Sequence, residues 1–232
     1  MKGIIRDFKL LKYGFQFKSN MFVGFLFFIM GVVFLFLGSG MEVMGAVYVT
    51  LGSIFMSQVM MLLTMADTVS ASPRKRSIVT KTVMFMNAVG TLIGYLITLV
   101  SFWWRYSRLD VIPVMDEDVD IMVMPTEQSL AMTLVEVSLL IGIILFYFVF
   151  AYKKMILSTI VMIVAIVAGM PVTMMTNMAR RMPIGNLTMV QGTLISALIL
   201  VVVTAICCVL QKTVYRLEMD KWGAGAALRK YL

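Results

Sequence analysis

The 232-residue chain contains no histidine. That absence excludes Ser-His-Asp triads, Cys-His pairs and histidine-ligated metals. Charge is scarce too, with Asp, Glu, Lys and Arg making up 14% of the residues, against roughly 25% in an ordinary soluble domain. Cysteine occurs twice, as the neighbours Cys207 and Cys208 inside an apolar run. Adjacent cysteines pair only with strain, so both read as buried thiols serving as small hydrophobes. No glycine is followed by lysine, so a Walker phosphate loop is missing, and no dinucleotide fingerprint follows a strand pattern. If ATP drives this protein, another chain hydrolyses it.

What fills the chain is apolar. Hydrophobic residues make up 61% of it, and the mean hydropathy is +0.96. A soluble fold of this size still needs polar cover and could not hide that much apolar surface. A soluble enzyme and a disordered chain are therefore excluded, and lipid becomes the expected solvent. A bilayer-spanning helix needs about 20 mostly apolar residues. Six such runs lie at 21–37, 43–65, 82–104, 131–152, 155–176 and 190–210, the fifth interrupted by Pro171. The first run exceeds the 7–15 residues of a signal-peptide core and reads as a span.

The segments between the runs carry the sidedness. Residues 1–20 hold Lys2, Arg6, Lys9, Lys12 and Lys18 against Asp7. On a helix Ile4, Phe8, Leu11 and Phe15 share one face while Lys2, Arg6 and Lys9 look away, the pattern of a helix lying in the membrane surface. Residues 66–81 hold Arg74, Lys75, Arg76 and Lys81, and Ser72-Pro73 is a good helix-start pair. Three cations in that first turn oppose the helix dipole, so they are placed for something outside the helix, either lipid phosphates or a partner protein. Together with 153–154 and 211–232, these segments contain 16 of the 20 Lys and Arg, against four in the intervening loops. The positive-inside rule then puts both termini in the cytoplasm. The expected architecture is all-α and polytopic: an interfacial helix at 1–20, a six-helix transmembrane domain at 21–211 and a cytoplasmic tail at 212–232. Trp103, Trp104, Tyr106, Tyr152 and Trp222 lie near span ends, as interfacial anchors do. Cations split among four segments mark a membrane surface rather than a nucleic-acid footprint.

Several features are candidates for function. Gly24, Gly31, Gly38, Gly45 and Gly52 recur every seven residues, and Gly90 and Gly94 form a GxxxG. Small residues let helices approach closely in lipid, which serves either packing within the chain or a subunit interface. Methionine occurs 24 times, which reads either as apolar drift or as a pliable lining for amphipathic substrates. Gln58, Asn87 and Glu136 are polar groups inside spans. An intramembrane carboxylate is costly and is usually functional or paired, with Arg105 or Arg108 available to Glu136. These three residues and Pro171 are the candidate substrate pathway. The loop 105–130 carries six acids against two cations, and its Asp116, Glu117, Asp118, Asp120 and Glu127 form an acidic cap. Four of them match calcium-loop positions 1, 3, 5 and 12, but Ile121 stands where the turn glycine belongs, so no metal or other cofactor is expected.

With its basic amphipathic N-terminus, six spans and first cytoplasmic loop Asp67-Thr68-Val69-Ser70-Ala71-Ser72-Pro73-Arg74-Lys75-Arg76, the chain resembles a small type-2 ABC transporter permease. The resemblance implies an elbow helix at about 4–17 and a coupling helix at about 72–81 that docks on a separate ATPase subunit. Ser72, Pro73, Arg74, Lys75, Arg76 and Lys81 are then the coupling residues. It also implies a fifth span broken near its outer end, in keeping with Pro171. The expected protein is a non-catalytic permease subunit in a bacterial plasma membrane, paired with a second permease chain. In style it is similar to exporters of amphipathic or hydrophobic substrates such as peptide toxins. The rival reading is a stand-alone channel or lipid-binding scaffold without an ATPase.

Overall fold

In lipid, large apolar side chains face outward at no cost, and the interior is left to small residues whose polar atoms are satisfied locally. The computed structural model describes residues 7, 17–37, 41–63, 73, 75–108, 127–151, 153–154, 156–164 and 187–216, the side chains of 58, 62 and 63 excepted. Regular structure among these residues is entirely helical. The helices are α1 (Phe17–Leu37), α2 (Glu42–Leu63), α3 (Lys75–Tyr106), α4 (Glu127–Ala151), α5 (156–164) and α6 (Met189–Val214). Five of them, α5 being the exception, are long and apolar enough to cross a membrane. The elbow at 4–17, apart from Asp7 and Phe17, lies outside the described residues, as do residues 165–176 of the expected fifth span and 217–232 of the tail.

The outer surface is inverted relative to a soluble bundle. Phe22 and Phe25 on α1, Leu92 and Val100 on α3, and Leu194, Leu198 and Val201 on α6 are exposed, Leu198 to 64%. Inside sit Thr50, Ser57, Thr98, Ser101, Ser138 and Ser196. Most of these hydroxyls donate to a carbonyl about one turn back, Thr50 to Ala46 at 2.8 Å and Ser138 to Leu134 at 2.9 Å. They bury no unmet donor.

Gly24, Gly31, Gly45 and Gly52 of the seven-residue repeat are used within the chain, while Gly38 lies outside the described residues. α1 and α2 form an antiparallel hairpin whose backbones touch along it. A Cβ added to Gly31 would stand 2.3 Å from the Val49 amide nitrogen, and one on Gly52 would stand 2.7 Å from that of Phe28. Gly90 of α3 lies as tightly on α2, where a Cβ would meet the Ser53 carbonyl oxygen at 2.6 Å. These glycines serve close packing within the chain.

α3 differs from the expectation of a short basic helix followed by a separate third span. An α-helical turn at Lys75–Ser77, a π-helical stretch at Ile78–Thr82 and α-helix over Val83–Tyr106 run on without a break. No glycine or proline interrupts residues 74–89, so nothing in the chain stops the helix. In the π stretch the Val83 amide donates to the Ile78 carbonyl, five residues back.

α4 and α6 pack side by side and run parallel. Glu127, at the start of α4, accepts a hydrogen bond from the Met189 amide at the start of α6. At the far ends, Lys153 donates to the Tyr215 carbonyl. The bundle therefore has two distinct ends. One gathers the starts of α1 and α3 with the ends of α2, α4 and α6, and the other gathers their opposites.

Candidate functional site

The first of those ends is basic. Lys18 opens α1, Lys75, Arg76 and Lys81 open α3, Lys153 and Lys154 make the turn after α4, and Lys212 and Arg216 close α6. Arg76, Ser77 and Lys81 are exposed, Lys75 is half-buried, and Pro73 stands in an exposed turn. The cations are close enough to repel. Burial, and then the neighbouring charges of Lys75 and Lys154, push the Lys153 ammonium below the usual lysine range. Its Nζ also lies 5.3 Å from the centre of the Tyr215 ring, a cation–π arrangement that offsets part of that cost.

Beneath the cations lies a packed apolar floor. Val59, Met60 and Met61 of α2 meet Ile78, Val79, Val83 and Met86 of α3, with Phe17 and Tyr215 against them. The π stretch is the meeting point. Thr82 Oγ1 donates to Asp7 Oδ2 at 2.8 Å, and both groups are buried. Gln211 Nε2, from the end of α6, reaches the Val79 carbonyl at 3.4 Å and the Met61 sulfur at 3.8 Å. One turn of α3 thus touches the N-terminal segment, α2 and α6. Single π turns inside α-helices occur often at functional positions, because they change the face a helix presents without breaking it.

The opposite end is tied by different chemistry. Arg105 Nη1 pairs with Glu42 Oε1 at 2.8 Å, and its Nη2 donates to the Leu35 carbonyl at 2.9 Å. Ser101 donates to the same carbonyl at 2.9 Å. The Arg108 guanidinium lies 4.2 Å over the Trp104 ring, and Trp103 Nε1 donates to Thr193 Oγ1 at 3.3 Å. Trp103, Trp104 and Tyr106 therefore cluster at this end of α3, while Tyr152 and Trp222 lie outside the described residues. Arg105, one of the two partners expected for Glu136, makes its ion pair with Glu42.

Glu127, the last of the acidic-cap residues, sits at the start of α4 and serves α6. Its Oε1 accepts from the Met189 amide at 2.7 Å. Thr188 and Gln191 complete a capping box, with the Gln191 amide donating to Thr188 Oγ1 at 3.3 Å and the Thr188 amide to Gln191 Oε1 at 3.2 Å. A carboxylate at a helix N-terminus satisfies an orphan amide and matches the dipole. Glu127→Ala should cost about 1 kcal/mol, read as a lower midpoint in thermal unfolding in detergent. Glu127→Gln should recover part of the loss. Equal stability of all three chains would remove the capping role.

The remaining sequence candidates divide as follows. Asn87 is half-buried on α3 and comes together with Gln211 at a small cavity. Glu136 is half-buried on α4. The Gln58 side chain, Ser72, Arg74, Asp116, Glu117, Asp118, Asp120 and Pro171 lie outside the described residues. Among the described residues no cluster of three or more His, Cys, Asp or Glu could hold a metal. Gln211 and Asp7 were not singled out from sequence, since Gln211 marks the edge of a span and Asp7 is the lone acid in a basic segment. No family model, curated protein or solved structure matches the chain.

Proposed function

We propose that this chain is the non-catalytic permease subunit of an ABC-type exporter in a bacterial plasma membrane. It would cross the bilayer six times with both termini in the cytoplasm, pair with a second permease chain and move amphipathic or hydrophobic substrates. A separate ATPase subunit would supply the energy.

The observation that carries this reading is the continuity of α3. Its exposed, basic first turn is joined to a membrane-length helix with no flexible link, so a force applied at Lys75–Ser77 is delivered into the bundle. The expected coupling residues Lys75, Arg76 and Lys81 stand on that lever. The π stretch then passes the movement to α2, α6 and the N-terminal segment at once. Parallel packing of α4 and α6 supports the sixth crossing, because the chain must return from the basic end at Lys153 to the opposite end at Leu187. Ser158 of α5 donates to the Tyr147 carbonyl of α4 at 2.8 Å, so α5 begins beside the end of α4. The cation-rich end is the cytoplasmic one by the positive-inside rule.

The test is isolation of the tagged chain from its native membrane in mild detergent. The proposal expects a nucleotide-hydrolysing chain to co-purify in fixed ratio, with ATP hydrolysis stimulated by an amphipathic peptide. A chain that purifies alone, or with an ATPase indifferent to every amphipathic peptide tried, belongs to a stand-alone channel or scaffold.

A further inference from the structure

A small cavity lies where α3, α4 and α6 meet, lined by Asn87 and Met84 of α3, Val149 of α4, and Thr204, Cys207 and Gln211 of α6. It offers about 10 Å³ to the centre of a water molecule, which is the least that one water needs. Two buried acceptors lack a partner here. Asn87 Oδ1 and Gln211 Oε1 are shielded from solvent and receive no hydrogen bond from the described residues. Gln211 as a whole is only 3% exposed. An unmet buried acceptor costs roughly 1–3 kcal/mol, and the cost rises where lipid surrounds the protein.

We propose that this cavity is a binding site for one structural water, held between the Asn87 and Gln211 side-chain carbonyls. Water carries two donor hydrogens, which is the number of acceptors left open. A hard cation fits poorly, because it takes six or more oxygen ligands and the walls supply two amide oxygens and one hydroxyl. The water joins α3 to α6. Gln211 already holds the Val79 carbonyl in the π stretch through its Nε2 at 3.4 Å. One side chain therefore carries both contacts, and the hydrated pair clasps α6 against the part of α3 where the helix changes register. The inference rests on unmet acceptors and cavity size and is independent of any energy source.

Hydroxyl-radical footprinting by X-ray radiolysis in lipid nanodiscs tests it, because radicals formed from a trapped water attack the sulfur atoms beside it. In the wild-type chain Met84 and Cys207, which line the cavity, should oxidise several-fold faster than Met60, which is fully buried elsewhere. Asn87→Leu and Gln211→Leu should each lower the Met84 and Cys207 rates several-fold and leave lipid-facing Met30 unchanged. If either variant fails to fold, the wild-type ratio of Met84 to Met132, half-buried like Met84 but away from the cavity, decides alone. A ratio near one, or rates at Met84 and Cys207 that survive both substitutions, would mean the cavity is dry and overturn the proposal.

Discussion

Gly31→Ala should abolish the folded protein or leave a small, polydisperse fraction of it. A Cβ at this position would lie 2.3 Å from the Val49 amide nitrogen, 2.7 Å from Val49 Cγ2 and 2.8 Å from the Gly45 carbonyl oxygen. The nearest atom and the third belong to backbone, so no rotamer change relieves the contact. The helices must separate, and the close approach along Gly24, Gly31, Gly45 and Gly52 is lost with it. Overpacking a well-fitted core typically costs 1–3 kcal/mol, occasionally more, and in lipid no hydrophobic driving force compensates for a looser seam. The control is Gly142→Ala, where a Cβ would meet only the Val203 side chain, at 3.2 Å and beyond. The contact is with side-chain methyls rather than backbone and needs a shift of only a few tenths of an ångström, so this variant should stay folded with a far smaller loss than Gly31→Ala. Fluorescence-detected size exclusion of tagged variants reads both outcomes. A monodisperse Gly31→Ala chain with unchanged thermal stability would show that α1 and α2 do not meet along this stripe.

If the chain is the proposed permease, a Gly-Gly pair inserted after Ile78 should uncouple transport from ATP hydrolysis while leaving the bundle assembled. Each glycine costs about 1 kcal/mol in a helix interior, and two of them inside the π stretch release the first turn of α3 from the membrane-length helix. The insertion also rotates Lys75, Arg76 and Ser77 relative to Val83 and beyond. The expected readout is an ATPase that still binds and hydrolyses ATP but no longer responds to substrate. Replacing Arg74 and Arg76 by Lys is the complementary change. It preserves the charge that attracts an anionic membrane, worth about 1 kcal/mol per cation, and removes bidentate hydrogen bonding. Lipid binding should persist and association with the ATPase should weaken. If both altered chains couple as wild type does, α3 is not the lever.

Much of this architecture was legible in the residues themselves. Five of the six apolar runs correspond to membrane-length helices, because composition over about 20 residues determines whether a segment prefers lipid. The glycine heptads located the α1–α2 contact, although spacing alone left a subunit interface open. Distances from Gly31 and Gly52 to backbone atoms of the partner helix show the packing within the chain. Legibility ended where contacts depend on residues far apart in the chain. Thr82 and Asp7 are separated by 75 positions and Gln211 and Val79 by 132, and no local pattern marks either pair. The Ser72-Pro73 pair was a local signal for a helix start; Ser72 lies outside the described residues, and Pro73 stands in a turn ahead of α3, which begins at Lys75. That signal could not reveal that the helix would continue through a π stretch into the third span, since continuity follows from the lack of a breaker and from packing against α2 and α6. Glu127 shows the same limit. Its place in an acidic run suggested a solvated cap, and its function as the partner of the Met189 amide is set by a helix 62 residues away.

The most direct measurement is a photocrosslinking amino acid placed at Ser77, exposed on the first turn of α3, and separately at Ser107, exposed at the opposite end. Irradiated in intact cells, the Ser77 probe should join the chain to a nucleotide-hydrolysing partner, and the Ser107 probe should not. Crosslinks from Ser77 to lipid alone, or the same partner captured from both positions, would contradict the account.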